Sequence, residues 1–472
     1  MRPLAFLLAV LPAVAAAVEA PAGRPNIVFI LADDLGWGDL KCYGNLPAKT
    51  PHLDRLARDG TLFTQFYVNA AVCSPSRAAF MTGQFPGRLG IPTVISGVGR
   101  NRQTGSPDFL DPKVPCLTRL LKDAGYSTGH FGKWHLGSNA KNCPLPDAYG
   151  IDEHRTTTTI RGAPTWDDAN TPEAKSRSTT QIIDETIRFI TANRDKPFYV
   201  NVWTRLPHAP LHPSEEQLAP YAHLRPDPDL PYLSAQQIYL ASITDIDTQV
   251  GRLLEKLAEL GLEKKTLVAF SSDNGPEDIA VRNAGYSGVG SPGPFRGRKR
   301  SLYEGGVRMP FLVRWPGQVP AGRVSDVVTS AVDWLPTICS LARIETPQEA
   351  TRDGEDISDI LRGAERLRQK PLFWEWRFPI TGHPINRSPM GAVREGQWKL
   401  LMNPDRSRIE LYNIPADPGE TLNVAAQNPD IVERLAKKLS VWESLLPEGP
   451  VAPEAGKASY PWPVPSTQIP KP

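Results

Sequence analysis

The sequence has almost no net charge, and this absence argues against two classes of partner. Its 53 Lys and Arg residues nearly balance its 51 Asp and Glu residues, which leaves a formal charge of +2 over 472 residues. Because no large field of one sign surrounds the protein, its composition does not favour nucleic acid or a charged membrane surface. Any attraction for an anionic substrate must therefore come from a local cluster of basic side chains.

Long apolar runs are also missing beyond the first twenty residues, so we predict no stable membrane insertion once that segment is removed. The segment itself has Arg2 near its start, a short apolar run over 4–18 and a small residue at Ala20. This pattern is typical of a cleaved signal peptide, and no cysteine follows it to carry a lipid anchor. We therefore predict a signal peptide over 1–20 and an exported protein that is periplasmic or secreted.

Cysteine is scarce, and its spacing matches no zinc-binding pattern. An odd number of cysteines in an exported protein raises the question of which thiol stands apart, and the motif around Cys73 singles that residue out. The other four could form two disulfides or remain buried thiols, and the sequence leaves both alternatives open. These four are Cys42, Cys116, Cys143 and Cys339.

Four short apolar runs each end just before a group of polar residues. Continuous runs of this kind are typical of strands that are buried on both faces of a sheet. The runs cover residues 26–31, 126–131, 198–203 and 266–270. Segments with helical spacing of apolar residues lie between them, over 117–124, 179–193 and 236–260. This alternation predicts an α/β fold with a largely parallel sheet, in which ligands bind beyond the carboxyl ends of the strands.

The character of the chain changes after about residue 365. Short strand patterns follow, and a helical pattern over 430–446 begins just after Pro429. The strand patterns cover 371–376, 390–394, 398–402 and 409–413. We therefore predict a large domain over 21–365, a smaller α+β domain over 366–446 and a proline-rich extended tail over 447–472.

The segment that starts at Cys73 is the most informative in the chain. It reads Cys-Ser-Pro-Ser-Arg, and Pro75 suits the first turn of a helix while Gly83 suits its end. Cys73 is therefore predicted at a helix N-terminus, where partial positive charge and free amides favour an anion. Arg77 lies four residues on, so its guanidinium can reach the same side of the helix.

This motif, which continues to Thr82 and Gly83, resembles the signature of the type I sulfatase family, in which the cysteine is oxidised to formylglycine. The resemblance extends from Pro25 to about Asn423 and is strongest to the arylsulfatase A and N-acetylgalactosamine-6-sulfatase branch. It implies an alkaline-phosphatase-like large domain with a mostly parallel central sheet between helices. It also implies a smaller C-terminal α+β domain with a short antiparallel sheet.

The same resemblance implies the chemistry. The expected reaction is hydrolysis of a sulfate ester, on a sulfated carbohydrate, and the expected partner is a maturation enzyme that generates formylglycine from Cys73. A phosphate or phosphonate ester hydrolase on the same scaffold is one alternative. A glycan-binding homologue without catalysis is another, although the complete set of catalytic residues argues against it.

Two polar groups, each directly after a predicted strand, suggest a metal site. They are Asp33–Asp34 and Asp273–Asn274, and they offer only oxygen ligands, which suit calcium or magnesium rather than zinc. Paired aspartates often make turns instead, but two such groups at one sheet edge favour a metal. The resemblance implies one Ca2+ ion, with the nucleophile derived from Cys73 as a further ligand.

The resemblance also assigns catalytic roles, together with Arg77, to four other residues. Lys133 is expected to contact the sulfate, and His135 to contact the nucleophile and act as the base that releases it. His208 and Lys299 are expected to bind sulfate, and one of the two to protonate the departing oxygen. A lone histidine or a basic run is more often structural, but these residues lie where the family has them.

Recognition of the rest of the substrate is assigned to loops and to the smaller domain. Arginine there could hold a second sulfate or a carboxylate, and tryptophan could stack on a sugar. An ordinary surface or packing role is at least as probable for each. The candidates are His212, Arg282, Arg296, Trp376, Arg377, His383 and Arg387.

Overall fold

The computed structural model describes residues 23–157, 164–166, 171–225, 232–279, 281 and 285–457. The predicted signal peptide, Arg282 and the last part of the predicted tail lie outside these described residues. Among the helices of the described residues, none has both the length and the apolar character needed to cross a bilayer.

A mixed sheet, nine-stranded within the described residues, forms the centre of the large domain. In chain order its strands are β1 (Asn26–Ala32), β2 (Thr61–Tyr67), β3 (Ser127–Gly132), β4 (Glu153–Thr156), β5 (Phe198–Trp203), β6 (Thr266–Ser272), β7 (Arg308–Arg314), β8 (Arg323–Ser325) and β9 (Thr329–Ser330). Their spatial order is β4-β3-β5-β1-β6-β7-β2-β8, and β9 also pairs with β2. Strand β7 runs antiparallel to its neighbours β6 and β2, whereas the other pairs are parallel. The predicted mostly parallel sheet is confirmed.

Helices cover both faces of this sheet. In chain order the helices are α1 (Pro51–Arg58), α2 (Cys73–Thr82), α3 (Val98–Thr104), α4 (Leu117–Asp123), α5 (Pro172–Ser176), α6 (Ser178–Ala192), α7 (Glu215–Leu218), α8 (Tyr232–Glu259), α9 (Glu304–Val307), α10 (Trp334–Ala342), α11 (Gln348–Asp353), α12 (Ser358–Leu361) and α13 (Pro429–Glu443). Phe29 in β1 points into a core shared with α2, α4 and α10, whereas the adjacent Val28 points into a core shared with α1, α6 and α8. This burial on both faces explains the continuous apolar runs of the central strands.

The smaller domain is a four-stranded antiparallel sheet covered by α13, which confirms the predicted α+β unit. Its strands are β10 (Leu372–Glu375), β11 (Gly391–Glu395), β12 (Trp398–Met402) and β13 (Glu410–Asn413). The ring of Trp442 in α13 stacks on Phe373 at a centroid distance of 5.1 Å. At the junction with the large domain, Lys399 is fully buried between Glu304 at 2.9 Å and Glu420 at 3.0 Å. The two domains are therefore joined by a buried ion-pair cluster centred on Lys399.

All five cysteines are free thiols, so the two-disulfide alternative does not occur in this structure. Cys73, Cys116 and Cys339 are buried, and Cys42 and Cys143 are partly buried. The stability of the fold therefore rests on packing rather than on covalent cross-links.

Candidate active site

The polar residues predicted to converge do meet at one edge of the large sheet. Asp33 and Asp34 directly follow β1, Lys133 follows β3 and Asp273 follows β6. Strands β5 and β6 flank β1, and β3 lies next to β5. Because these strands are parallel, their carboxyl ends place the side chains together. Asp34 adopts a left-handed backbone conformation with φ +66°, a strained geometry that is common at functional sites.

Cys73 faces this edge from the first turn of α2. The helix ends at Gly83, which has φ +66°, so both predicted ends of the helix are confirmed. The Cys73 side chain is buried, and its Sγ lies 3.5 Å from Asp33 Oδ1 and 4.0 Å from Asp34 Oδ1. Burial raises the pKa of the thiol, and the negative charge of Asp273 adds to this effect.

Arg77 holds two parts of the site together. Its Nε and Nη2 donate to Asp273 Oδ2 at 2.9 and 2.6 Å, and its Nη1 donates to the Lys133 carbonyl at 2.7 Å. The side chain is fully buried. Removing one member of such a pair typically costs about 3–5 kcal/mol, since a buried charge is left without its partner. Arg77 is therefore a positioning residue for Asp273 as well as a positive charge in the site.

The four acidic or thiol groups are close enough to share one metal ion. One ligand atom from each of Asp33, Asp34, Cys73 and Asp273 lies within 4.8 Å of the others, and all four residues are buried. Asn274 adds an amide whose Nδ2 donates to Asp34 Oδ1 at 2.7 Å, while its buried Oδ1 has no hydrogen-bond partner. A buried oxygen without a hydrogen-bond partner lowers the stability of the fold by about 1–3 kcal/mol unless a ligand satisfies it. This oxygen-rich donor set fits a hard divalent cation.

Two lysines bind the paired aspartates. Lys133 Nζ lies 2.8 and 2.7 Å from the two oxygens of Asp33, and Lys299 Nζ lies 2.7 and 2.6 Å from those of Asp34. Burial by itself raises the pKa of Asp33, but Lys133 and the other cations outweigh it and hold that pKa well below its ordinary value. The pKa of Asp34 is lowered in the same way, chiefly by Lys299. Both carboxylates are therefore charged at neutral pH.

Two histidines complete the set around Cys73. His208 Nδ1 lies 2.6 Å from the carbonyl oxygen of Ala209, so Nδ1 carries a proton and donates it there. His208 Nε2 then faces Asp34 Oδ2 at 3.7 Å, and any proton that His208 transfers in the site passes through Nε2. His135 has φ +56°, and burial lowers its pKa well below the usual histidine value.

These residues lie in one cleft of about 840 Å³. One part of its lining surrounds Cys73 and includes His135, His208 and Lys299. Another part comes from α3, from the loop after β10 and from the segment after α13; it consists of Arg100, Gln103, Thr104, Trp376, Phe378, Pro379, Thr381, Pro450, Val451 and Ala452. The cleft is within the size range of pockets that bind small molecules.

Comparison with known families identifies the chain. A family model described as Sulfatase matches residues 25–344, which is more than half of the sequence. The chain belongs to the sulfatase family. A second model, described as N-sulphoglucosamine sulphohydrolase, C-terminal, matches residues 295–444. The resemblance noted in the sequence is confirmed, and so is the expectation that the protein is an enzyme that hydrolyses sulfate esters.

Individual relatives agree with this assignment. Steryl-sulfatase from Mus musculus is 35% identical over 79% of this chain and 72% of its own length. N-acetylgalactosamine-6-sulfatase from Sus scrofa is 33% identical over 83% and 75%, and arylsulfatase A from Homo sapiens is 30% identical over 91% and 90%. The solved structure of Ps i-CgsB in complex with k-i-k-neocarrahexaose has a TM-score of 0.75 and 26% identity, and the match covers 90% of this chain and 94% of that one.

The residues predicted to recognise substrate are distributed differently in this sulfatase from what the sequence suggested. Trp376 lines the cleft, but it is only 5% exposed, so it forms part of the wall rather than an open stacking surface. His212 is exposed and lies outside the cleft lining. Arg282 lies outside the described residues, so its role stays a prediction.

The remaining candidates contact other parts of the sulfatase. Arg296 donates to the Ile385 carbonyl at 2.9 Å, and its guanidinium lies 3.8 Å from the centroid of the Tyr303 ring. The Arg296 side chain therefore binds other protein groups at the domain junction. His383 Nδ1 accepts from the Ile385 amide at 3.3 Å and so supports a local turn.

Arg377 and Arg387 contact other protein groups, the first through its side chain and the second through its backbone carbonyl. Arg377 Nε donates to Glu375 at 2.6 Å, and its Nη2 donates to the Pro447 carbonyl at 3.0 Å. The Arg387 carbonyl accepts from Arg408 at 3.0 Å. Neither arginine lines the cleft, so neither is placed to contact the substrate directly.

Sequence reasoning missed the residues that do line the outer part of the cleft, above all Arg100, Phe378 and Val451. They come from three segments that are far apart in the chain and belong to no motif. The feature of the sequence that could have indicated a basic surface near the cleft is the pair of arginines shortly after the Cys73 helix, Arg100 and Arg102.

Proposed function

We propose that this sulfatase hydrolyses sulfate esters of a carbohydrate, with a nucleophile made by oxidising Cys73 to formylglycine and with one calcium ion. The observation that supports the proposal most strongly is the position of Cys73. It lies at a helix N-terminus, within 4.8 Å of three buried carboxylates. A thiol in this position lies against Asp33 and Asp34 rather than in an apolar core.

The carbohydrate part of the proposal rests on three observations. The Ps i-CgsB structure was solved with k-i-k-neocarrahexaose, and the N-acetylgalactosamine-6-sulfatases are named for a sulfated sugar. The cleft extends well beyond the residues around Cys73. The N-terminal segment further predicts export, to the compartment where large sulfated glycans are met.

The ion would be held by Asp33, Asp34, Asp273 and the Oδ1 of Asn274, with residue 73 as a further ligand. When bound, a calcium ion supplies positive charge beside the sulfate and favours ionisation of a hydroxyl next to it. The unsatisfied amide oxygen of Asn274 and the three carboxylates beside it support this assignment.

Formylglycine explains why a cysteine, rather than a serine, occupies position 73. A serine would leave a sulfate ester that is hard to cleave by a second attack. As an aldehyde hydrate, residue 73 would supply one hydroxyl that attacks sulfur and displaces the oxygen of the sugar. Deprotonation of the second hydroxyl would then break the carbon–oxygen bond to the sulfate and regenerate the aldehyde, and water would restore the hydrate. A formylglycine-generating maturation enzyme is therefore a required partner.

The other side chains bind the sulfate and move protons. Lys133 and Lys299 present ammonium groups at the edge of the carboxylate cluster, where they can also bind sulfate oxygens. His135, which lines the cleft with Cys73, takes the proton that releases the product. His208, through Nε2, or Lys299 protonates the oxygen that leaves with the sugar.

Steady-state rates on 4-nitrophenyl sulfate and 4-nitrophenyl phosphate test the reaction class. We expect the larger kcat/KM for the sulfate, and a clear preference for the phosphate would contradict the proposal. Mass spectrometry of the peptide that contains Cys73 tests the nucleophile. A thiol left unmodified in the native organism would instead favour a glycan-binding protein without catalysis.

A further inference from the structure

The segment 447–457, here named the C-terminal strap, is fixed to the outer part of the cleft. Arg377 holds it at two points, because its Nη2 donates to the Pro447 carbonyl at 3.0 Å and its own carbonyl accepts from the Ala452 amide at 2.9 Å. Further along, the Gly456 carbonyl accepts from Arg408 Nη1 at 2.8 Å. Pro450, Val451 and Ala452, between these anchors, line the cleft. The strap is therefore part of the cleft wall.

Helix α3 packs directly against the strap. Gly105, which ends the helix, has φ +69°, and a Cβ atom there would lie 2.6 Å from Pro450 Cδ. The backbone conformation and the close approach both require glycine at this position. Helix α3 and the strap thus form one continuous surface, although they come from opposite ends of the chain.

Arg100 is the basic residue of this surface. It lies on α3, is exposed and lines the cleft, and its polar contact is with Gln103 Oε1 at 3.5 Å. The basic residues nearer Cys73 differ, since Lys299 binds a carboxylate of the metal cluster and Arg300 binds both oxygens of Glu277. Among the lysines and arginines that line the described part of the cleft, Arg100 is therefore the one that has no carboxylate partner.

We propose that α3 and the C-terminal strap form a distal subsite that binds the part of the glycan beyond the sulfated group. In this subsite Arg100 binds an oxyanion of the glycan, and Val451 and Phe378 pack against a sugar ring. A guanidinium binds carboxylate or sulfate through two parallel hydrogen bonds, so either group provides the same chemistry. Val451 is 54% exposed and Phe378 is partly buried, so both offer apolar surface to a ligand. The inference rests on the proposed function, because it assumes a glycan substrate.

Arg100→Gln is the main test variant, and Arg102→Gln is its matched control. Arg102 lies on the same helix and is exposed, but it does not line the cleft. The probes are three disaccharides: one with a carboxylate, one with a sulfate resistant to this enzyme, and one neutral. Calorimetric titration measures their binding, and inhibition of 4-nitrophenyl sulfate hydrolysis gives a second readout.

We expect wild type and Arg102→Gln to prefer one or both charged disaccharides over the neutral one. In Arg100→Gln the ratio of affinities for charged and neutral disaccharides should be about tenfold smaller than in wild type. Its kcat on 4-nitrophenyl sulfate should stay unchanged. The two charged probes distinguish a carboxylate from a second sulfate as the bound group. Val451→Asp should also weaken the binding of charged disaccharides relative to wild type, because it places a negative charge beside the oxyanion of the ligand.

If Arg100→Gln binds all three disaccharides as wild type does, the distal subsite is wrong, even if 4-nitrophenyl sulfate is still hydrolysed. If the preference is lost to the same extent in Arg102→Gln, the effect is one of general charge and the proposal is again wrong. If 4-nitrophenyl sulfate is not hydrolysed by wild type, the proposed function fails. Calorimetry then still decides whether Arg100 binds an oxyanion of a saccharide.

Discussion

The two ends of the cleft are built in opposite ways. Around Cys73 the charged side chains are buried and paired with one another, and several of them, such as Asp33, Lys133 and Asp273, directly follow parallel strands. At the outer end, Arg100 and Val451 are exposed and come from a short helix and from a strap after the last helix. The inner end is suited to a reaction that needs rigidly held side chains. Residues at the outer end, in contrast, can be substituted without disturbing the sheet.

A bound cation, rather than the side chains alone, would let the inner end attract an anion in this nearly neutral protein. Three basic and three acidic side chains form its buried cluster, namely Arg77, Lys133, Lys299, Asp33, Asp34 and Asp273. With all six ionised, these charges cancel. A bound divalent cation would therefore make the cluster positive and favourable for a sulfate ester.

The largest effect expected at the inner end is that of Cys73→Ala. Turnover of 4-nitrophenyl sulfate should fall by at least about a thousandfold, because the nucleophile is lost. Stability should change by about 1 kcal/mol, since one buried sulfur atom is removed. The melting temperature measures this second quantity.

Cys339→Ala is the matched control for this variant. Cys339 is also a fully buried thiol, but it lies in α10, outside the cleft lining. Its alanine variant should keep full activity. Substantial activity in Cys73→Ala would contradict the covalent mechanism.

Removal of calcium should have the next largest effect. A chelator should lower both the activity and the melting temperature, and added Ca2+ should restore them, because an ion that binds only the folded state stabilises it. At a concentration of about 100 times its Kd, the ion adds about 2.7 kcal/mol to the free energy of unfolding. Asn274→Ala should weaken this response, since it removes one ligand. A melting temperature that does not respond to Ca2+ in wild type would argue against the metal site.

His208→Ala should have an effect that depends on the leaving group. Esters with a poor leaving group need a proton donor most, so their kcat/KM should fall about tenfold or more beyond the loss seen with 4-nitrophenyl sulfate. His212→Ala is the control, because His212 is in the same loop but does not line the cleft. Equal losses on both kinds of ester would remove His208 from the acid role.

Gly105→Ala should have the smallest effect, and it should appear only at the outer end. The added methyl group would collide with Pro450, so the strap should move and KM for an oligosaccharide should rise several-fold. Activity on 4-nitrophenyl sulfate should not change. The left-handed backbone at Gly105 adds a cost of about 1–2 kcal/mol in stability.

Gly261→Ala separates these two causes. Gly261 has φ +68° and no heavy atom within 4 Å of the added Cβ, so its variant bears the backbone cost without touching the strap. Its KM for the oligosaccharide should match that of wild type. If the two glycine variants have the same KM, the strap does not contribute to binding.

Local patterns in the sequence were sufficient for most of the large domain, but not for all of it. The helices predicted over 179–193 and 236–260 appear as Ser178–Ala192 and Tyr232–Glu259, because their apolar spacing reflects burial on one face. Strands β2 and β7 were not predicted. Thr64 and Gln65 interrupt the apolar run of β2, and Pro310 lies within β7. Their places in the sheet depend on pairing with each other, which a local pattern does not record.

Short-range patterns in the sequence were enough to predict the family, the helix that starts at Cys73 and the convergence of the acidic residues beside it. These features follow from short spacings and from the rule that parallel strands present their carboxyl ends at one edge. The folded molecule was needed to show that Arg377 fixes the strap, that Arg296 packs at the domain junction and that Arg100 lines the cleft. Those roles depend on contacts between residues that are distant in the chain, such as Arg377 with Pro447, Arg296 with Ile385 and Gly105 with Pro450. Contacts of this kind leave no periodic or local trace in the chain.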